Sequence, residues 1–216
     1  MKQYAIFDMD GTLFDTERLY QESWVETAKR FDQIPDPAFP FAVSGTSGEG
    51  MREVIRRYYP AVDPWAFQAD CLARVDSLLE HQAPPEKPGA RELLRFLRAR
   101  RIKTAVASSS TRARILSNLR QAGLSPAFDA VVSGQEAARS KPAPDIFLLA
   151  AEKLGCAPES CYVFEDSVNG VRAGIAAGCT TVMVPDLVPP TGELMERATV
   201  CTSLLEVRDL LEQGLL

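Results

Sequence analysis

Asp8-Met9-Asp10-Gly11-Thr12 follows directly on the apolar run Tyr4–Phe7. Carboxylates at i and i+2 after a buried strand would repel each other unless a cation lay beside them, and Mg²⁺, which prefers oxygen ligands, is the natural candidate. Gly11 permits the sharp backbone departure that follows. Asp-Gly-Thr is also good turn chemistry, so a surface turn is the competing reading. A second apolar run ends in Ser108-Ser109-Ser110-Thr111 ahead of a helical pattern. Hydroxyls and free N–H groups at a helix start can receive phosphate oxygens, and Ser108 stands nearest the strand end, with Ser109 beside it. Ser and Thr are equally the preferred helix N-caps, which would account for Ser110 or Thr111.

Two further segments complete the set. In Ser140-Lys141-Pro142-Ala143-Pro144-Asp145 the prolines stiffen the approach to a helix and hold Lys141 on a defined loop. A pinned ammonium can neutralise a phosphoryl group and a nearby carboxylate together, whereas an arbitrary lysine is merely solvated. Val163-Phe164-Glu165-Asp166-Ser167 brings two more acids to a strand end, followed by Asn169-Gly170. Beside Asp8 and Asp10 they would make a negative site that requires a divalent cation, although Asp166 alone could cap the next helix.

The elements that must position these groups are visible as a β-α alternation. Apolar runs at Tyr4–Phe7, Ile102–Ala107, Ala130–Val132, Cys161–Glu165 and Thr180–Val184 read as buried parallel strands. Between them, helical spacing marks Ala90–Arg100, Arg112–Ala122, Asp145–Leu154 and Val168–Ala177. The pattern predicts an α/β fold, a doubly wound parallel sheet whose functional groups sit at the carboxyl ends of the strands. Residues 16–81 break the rhythm with amphipathic stretches Glu17–Phe31, Gly50–Tyr59 and Pro64–Glu80 and no strand. We therefore expect a core of residues 1–15 and 82–216 with an α-helical insertion at 16–81, bounded downstream by the proline-rich Ala83–Gly89. An insertion immediately after the first strand lies above that strand's carboxyl end, where it can serve as a lid.

Composition narrows the chemistry. The 216 residues carry 24 Lys plus Arg against 29 Asp plus Glu, a net charge of −5 that makes a poor general binder of nucleic acid. The single histidine, His81, excludes a three-histidine zinc site and leaves acid–base work to carboxylates. Five cysteines without a C-x-x-C pair suggest reduced, mostly buried thiols. No apolar run reaches membrane-spanning length and no signal peptide begins the sequence, so a cytoplasmic protein with no membrane partner is expected, and a monomer is favoured.

Taken together and in order, DMDGT at 8–12, VASSS at 106–110, SKPAPDIF at 140–147 and FEDSVNG at 164–170 resemble the four motifs of the haloacid dehalogenase superfamily, and within it the β-phosphoglucomutase-like branch with its α-helical cap. The resemblance spans essentially the whole chain. It implies that Asp8 is a nucleophile that becomes an aspartyl phosphate, and that Asp10 protonates the leaving oxygen and then activates water. An ordinary Asp pKa of about 3.9 is too low for that acid role, so crowding, burial or a proton shared with the substrate must help. It also implies Mg²⁺ held by Asp8, the backbone carbonyl of Asp10 and Asp166, with Glu165 either a further ligand or a partner of the ligands. Ser108, Ser109 and Lys141 would bind the phosphoryl oxygens.

Two departures point away from a mutase. Where true β-phosphoglucomutases carry a cap-loop arginine and a histidine on the first cap helix, this chain has Gly48 and Tyr20. The resemblance therefore implies a Mg²⁺-dependent phosphatase of a small phosphorylated metabolite, with a sugar-phosphate mutase as the alternative and a capless, receiver-like phosphoacceptor module as a remote one. Arg52, Arg56 or Arg57 are the substitutes the cap offers for the missing groups, and Gly48, Glu49, Arg52 and Tyr20 are its candidate substrate contacts. The stretch Gly45–Gly50 lacks the Gly-Lys-Ser/Thr of a phosphate-binding loop and reads as a cap loop facing the site or a plain helix connector. His81 reads as a surface residue.

Overall fold

The computed structural model describes residues 1–44, 46, 48–80 and 83–216, the side chain of Glu193 excepted. Its six parallel strands are β1 (Tyr4–Phe7), β2 (Lys103–Ser108), β3 (Ala130–Ser133), β4 (Cys161–Glu165), β5 (Thr180–Met183) and β6 (Thr199–Val200), in the spatial order β3-β2-β1-β4-β5-β6. The first five lie within one residue of the expected bounds. The sixth, only Thr199–Val200, is too short to show as an apolar run.

The sheet is buried on both faces because alternate residues of each strand point to opposite sides. Ala5 and Phe7 join one cluster with Leu93 and Leu97 of α5 (Ala90–Ala99) and Leu204, Val207 and Leu211 of α10 (Leu204–Gln213). Ile6, Ala105 and Val163 join the other with Ile146, Phe147 and Ala150 of α7 (Asp145–Leu154) and Ala173 of α8 (Val168–Ala176). Helix α6 (Arg112–Gln121) follows β2, and α9 (Gly192–Arg197) precedes β6. The start of α10 is a capping arrangement, in which Ser203 accepts a hydrogen bond from the Glu206 backbone N–H, a Ser-x-x-Glu signal present in the sequence.

Between β1 and α5 lie four helices, α1 (Glu17–Arg30), α2 (Phe39–Val43), α3 (Gly48–Tyr58) and α4 (Pro64–Leu79). They hold a hydrophobic cluster of their own, centred on Trp24, Phe39, Tyr59 and Phe67. Trp24 and Phe67 stack with ring centroids 5.9 Å apart. Helix α4 starts sharply because Asp63 accepts from the Trp65 N–H at 2.9 Å while Pro64 occupies the first turn, where its missing N–H costs nothing. The two chain crossings between the helices and the sheet run side by side. The Asp15 N–H donates to Pro85 O at 2.8 Å and the Lys87 N–H to Leu13 O at 2.9 Å. No helix is long and apolar enough to cross a membrane among the described residues.

Candidate active site

Parallel register brings the strand ends to one level. Phe7 pairs with Val106 on one side and Phe164 on the other, so Asp8, Ser108 and Glu165 emerge together at the carboxyl edge. Asp8 is only 6% exposed, which removes the surface-turn reading of Asp8–Thr12. Gly11 has φ +84°, and a Cβ there would stand 2.3 Å from Asp166 Oδ2, so glycine is required both for the turn and for the close approach of that acid.

The alternatives left open by the motifs separate cleanly. Thr111 is the N-cap of α6 and accepts from the Arg114 N–H, leaving Ser108, Ser109 and Ser110 free for other work. Ser167 caps α8 by accepting from the Gly170 N–H at 3.0 Å, so Asp166 is not a cap. Asp166 Oδ1 instead accepts from Thr12 Oγ1 at 3.3 Å.

Lys141 is buried between two acids, its Nζ 2.5 Å from Asp8 Oδ1 and 2.6 Å from Glu165 Oε1. Burial alone would lower its pKa, but the Asp8 and Glu165 carboxylates raise it, and the ammonium is firmly charged. The other oxygen of Glu165 accepts from the backbone N–H of Asp166 and of Ser167 at 3.0 and 2.9 Å and from Ser167 Oγ at 3.0 Å. Oxygens of Asp8, Glu165 and Asp166 lie within 4.8 Å of one another. One lysine does not balance three acids. Burial, then Glu165 and Asp10 against the opposing pull of Lys141, push Asp8 up to about 8. Burial and the charges of Glu165, Asp8 and Glu17 likewise hold Asp166 well above the carboxylate range. Buried, all-oxygen and electrostatically under-compensated, this donor set fits a hard divalent cation.

Asp10 stands apart from the three-acid group. Thr16 Oγ1 donates to its Oδ1 at 2.7 Å, and Ser110 Oγ donates to its Oδ2 at 2.8 Å, with Ser108 Oγ at 3.4 Å. Its carboxylate is therefore held by hydroxyls.

Above these groups is a cavity of about 360 Å³ lined by Asp8, Asp10, Ser108, Ser109 and Lys141 and, from the helical layer, by Glu17, Tyr20 and Gly48. Of the candidate substrate contacts between residues 16 and 81, Tyr20 and Gly48 reach it and Glu49 and Arg52 do not. Glu49 pairs with Arg52 at 2.9 Å and with Arg56 at 2.6 Å, and Arg52 lies over the Trp65 ring. Arg57 is exposed. Gly45, Ser47 and His81 lie outside the described residues.

Three groups at the site were not anticipated. Ser110 holds Asp10, though its place beside a helix start suggests only a cap. Glu17 lines the cavity, where burial and the charges of Asp10, Asp186 and Asp8 push it up to about 8 against a Ser44 hydrogen bond. An acid in a helix's first turn ordinarily reads as a partner of the helix dipole, which conceals this placement. Arg114 of α6 crosses to the helical layer, where it donates to Tyr20 Oη, to Leu72 O at 3.3 Å and to Asp76 at 2.8 Å. Nothing local in the sequence distinguishes it from a solvated helix arginine.

The haloacid dehalogenase-like hydrolase family model matches residues 3–178. The chain is 33% identical over 174 residues to a phosphorylated carbohydrates phosphatase of Thermotoga maritima, covering 81% of each chain. It is 34% identical over 186 residues to the fructose-1-phosphate phosphatase YqaB of Escherichia coli, covering 85% of this chain and 97% of that one. A β-phosphoglucomutase structure from Clostridium difficile shares the fold with a TM-score of 0.82 at 24% identity, over 99% of this chain and 96% of the other.

Proposed function

Since the chain belongs to the haloacid dehalogenase-like hydrolases, we propose that it is a Mg²⁺-dependent phosphatase of small phosphorylated metabolites, sugar phosphates foremost. The observation that carries the reading is the division of labour among the acids. Asp8 lies in the three-acid group beside Lys141, while Asp10 is held away from that group by Thr16 and Ser110.

In this reading Asp8 attacks phosphorus, forming the aspartyl phosphate as the bond from phosphorus to the ester oxygen breaks. Asp10 delivers its proton to that leaving oxygen, then accepts one from the water that attacks the aspartyl phosphate and frees inorganic phosphate. Ser108, Ser109 and Lys141 hold the phosphoryl oxygens, and residues 16–81 act as a cap that shields the reaction from bulk water. Asp8, Asp166, the Asp10 carbonyl and Glu165 would hold Mg²⁺, directly or through one another, and the ion would offset the charge of the acids and the phosphoryl group. The phosphatases of Thermotoga and Escherichia support the substrate class. Five free cysteines suit a reducing, cytoplasmic compartment.

The test is Mg²⁺-dependent release of phosphate from a panel of phosphorylated metabolites, repeated with Asp8→Asn. Phosphate release that Asp8→Asn abolishes is expected. Undiminished turnover in that variant would overturn the mechanism, and bisphosphate-dependent interconversion of hexose phosphates without phosphate release would make the protein a mutase.

A further inference from the structure

The cavity's cations are already committed. Among the described residues only two basic side chains line it, Lys141 and Arg114. Lys141 is paired with Asp8 and Glu165 at the reacting end. Arg114 is 9% exposed and paired with Asp76 at 2.6 Å, and it also donates to Tyr20 Oη and Leu72 O. Of the arginines of α3, Arg52 and Arg56 are turned to Glu49 and Trp65, and Arg57 is exposed and does not line the cavity.

What the non-reacting half offers is a carboxyl group, uncharged polar side chains and apolar wall. Glu17 lines the cavity and makes no ion pair among the described residues, and Ser44 Oγ donates to its Oε2 at 3.2 Å. Trp24, Val43, Met51 and Leu72 line it as well, beside the uncharged polar side chains of Gln21 and Gln68. A carboxyl group accepts hydrogen bonds from hydroxyls in either protonation state, and apolar surface suits the carbon face of a polyol. A second phosphate or a carboxylate would instead be brought into a space already crowded with acids and without a cation to meet it.

We infer that the substrates are monophosphate esters of neutral, hydroxyl-bearing alcohols, and that Glu17 determines this specificity by hydrogen-bonding a hydroxyl of the leaving group. The inference rests on the phosphatase reading above and narrows it. Bisphosphates and phosphorylated acids are poor substrates because the cavity holds Glu17 where a second-anion site would need a base.

The experiment compares kcat/KM of the full chain with Mg²⁺ on three esters of similar length. Glucitol 6-phosphate is the neutral polyol, 6-phosphogluconate replaces its terminal CH₂OH by a carboxylate, and hexyl phosphate lacks the hydroxyls. The wild type is expected to prefer glucitol 6-phosphate by about tenfold or more over each of the others. Glu17→Ala is expected to bring both preferences to within about threefold of unity, through loss of glucitol 6-phosphate turnover and relief of the carboxylate. Ratios of kcat/KM within one preparation do not depend on how much of the variant is folded. Wild-type indifference to the three esters, or preferences unchanged in Glu17→Ala, would overturn the inference while leaving the phosphatase reading intact. No phosphate from any ester, p-nitrophenyl phosphate included, would overturn both.

Discussion

A Cβ at Gly170 would lie 1.8 Å from Glu165 Oε1, so the carboxylate of one residue occupies the space that a side chain at the other would need. That same oxygen is 2.6 Å from Lys141 Nζ. The glycine lets the first turn of α8 pass directly over a buried ion pair while Ser167 caps the turn and ties down the other carboxylate oxygen. The spacing of Glu165, Ser167 and Gly170 is thus one packing unit.

Gly170→Ala tests it. In an ordinary helix the change to alanine would stabilise by about 1 kcal/mol. Here the methyl group must displace Glu165, and overpacking of this kind costs about 1–3 kcal/mol. We expect a net loss of stability in urea unfolding and, because Lys141 moves with Glu165, a fall in kcat/KM of about tenfold or more, as misplacement near reacting groups typically gives. A variant more stable than the wild type with full activity would contradict the account.

Lys141→Met removes the one cation between Asp8 and Glu165 and leaves two buried acids uncompensated. Breaking a buried pair in this way costs about 3–5 kcal/mol. The metal-free variant should unfold at correspondingly lower denaturant, and phosphate release should be lost. Wild-type stability in EDTA would show that Lys141 is not the main counter-charge of the apo site.

Much of this is legible in the sequence, and the boundary is physical. Buried parallel strands are continuous apolar runs, and the site residues follow them directly, so Asp8, Ser108 and Glu165 could be placed from the strand ends alone. Lys141 was legible because two prolines follow it on the approach to a helix. What the sequence conceals are groups whose role depends on two elements meeting. Arg114 sits on a core helix and acquires its partners only when α1 and α4 lie above it. Glu17 looks like a helix-start acid until the cavity closes around it, and Arg52 looks available until Trp65 and Glu49 take it. Beyond Val184 the pattern fades into a two-residue strand and short helices, and only the Ser203-x-x-Glu206 cap marks α10.

The bridge from Arg114 to Asp76 joins α6 to α4 across the roof of the cavity. Asp76 is 60% exposed, so solvent screens the pair and the coupling should be modest, about 0.5–1 kcal/mol in a double-mutant cycle on unfolding free energy. The effect on catalysis should be larger than that figure suggests. Arg114→Ala also releases Tyr20 and Leu72, loosening the helical layer over the site, and we expect KM to rise for a cavity-filling sugar phosphate more than for a small ester such as phenyl phosphate. Equal effects on both substrates would remove Arg114 from the roof's attachment.

Glu17 gives a pH dependence of definite sign. Its ordinary pKa of 4.5 is raised to about 8 in the folded chain, first by burial and then by the carboxylates around it. An acid raised on folding holds its proton more tightly in the native state, so the native chain binds more protons than the unfolded one between those two values. Stability must then fall as pH rises through that window and level off above it. Asp8, raised to about 8 as well, adds a slope of the same sign. The contribution of Glu17 is isolated by Glu17→Gln, which cannot ionise and keeps the hydrogen-bonding shape. In EDTA the melting temperature of the wild type should decline from about pH 4.5 to about pH 8 more steeply than that of the variant. The variant should therefore be the more stable protein at the alkaline end, even though it lacks a group that the proposed substrate needs. Parallel melting curves across that range would show that Glu17 has the same proton affinity folded and unfolded, and that the cavity does not crowd it.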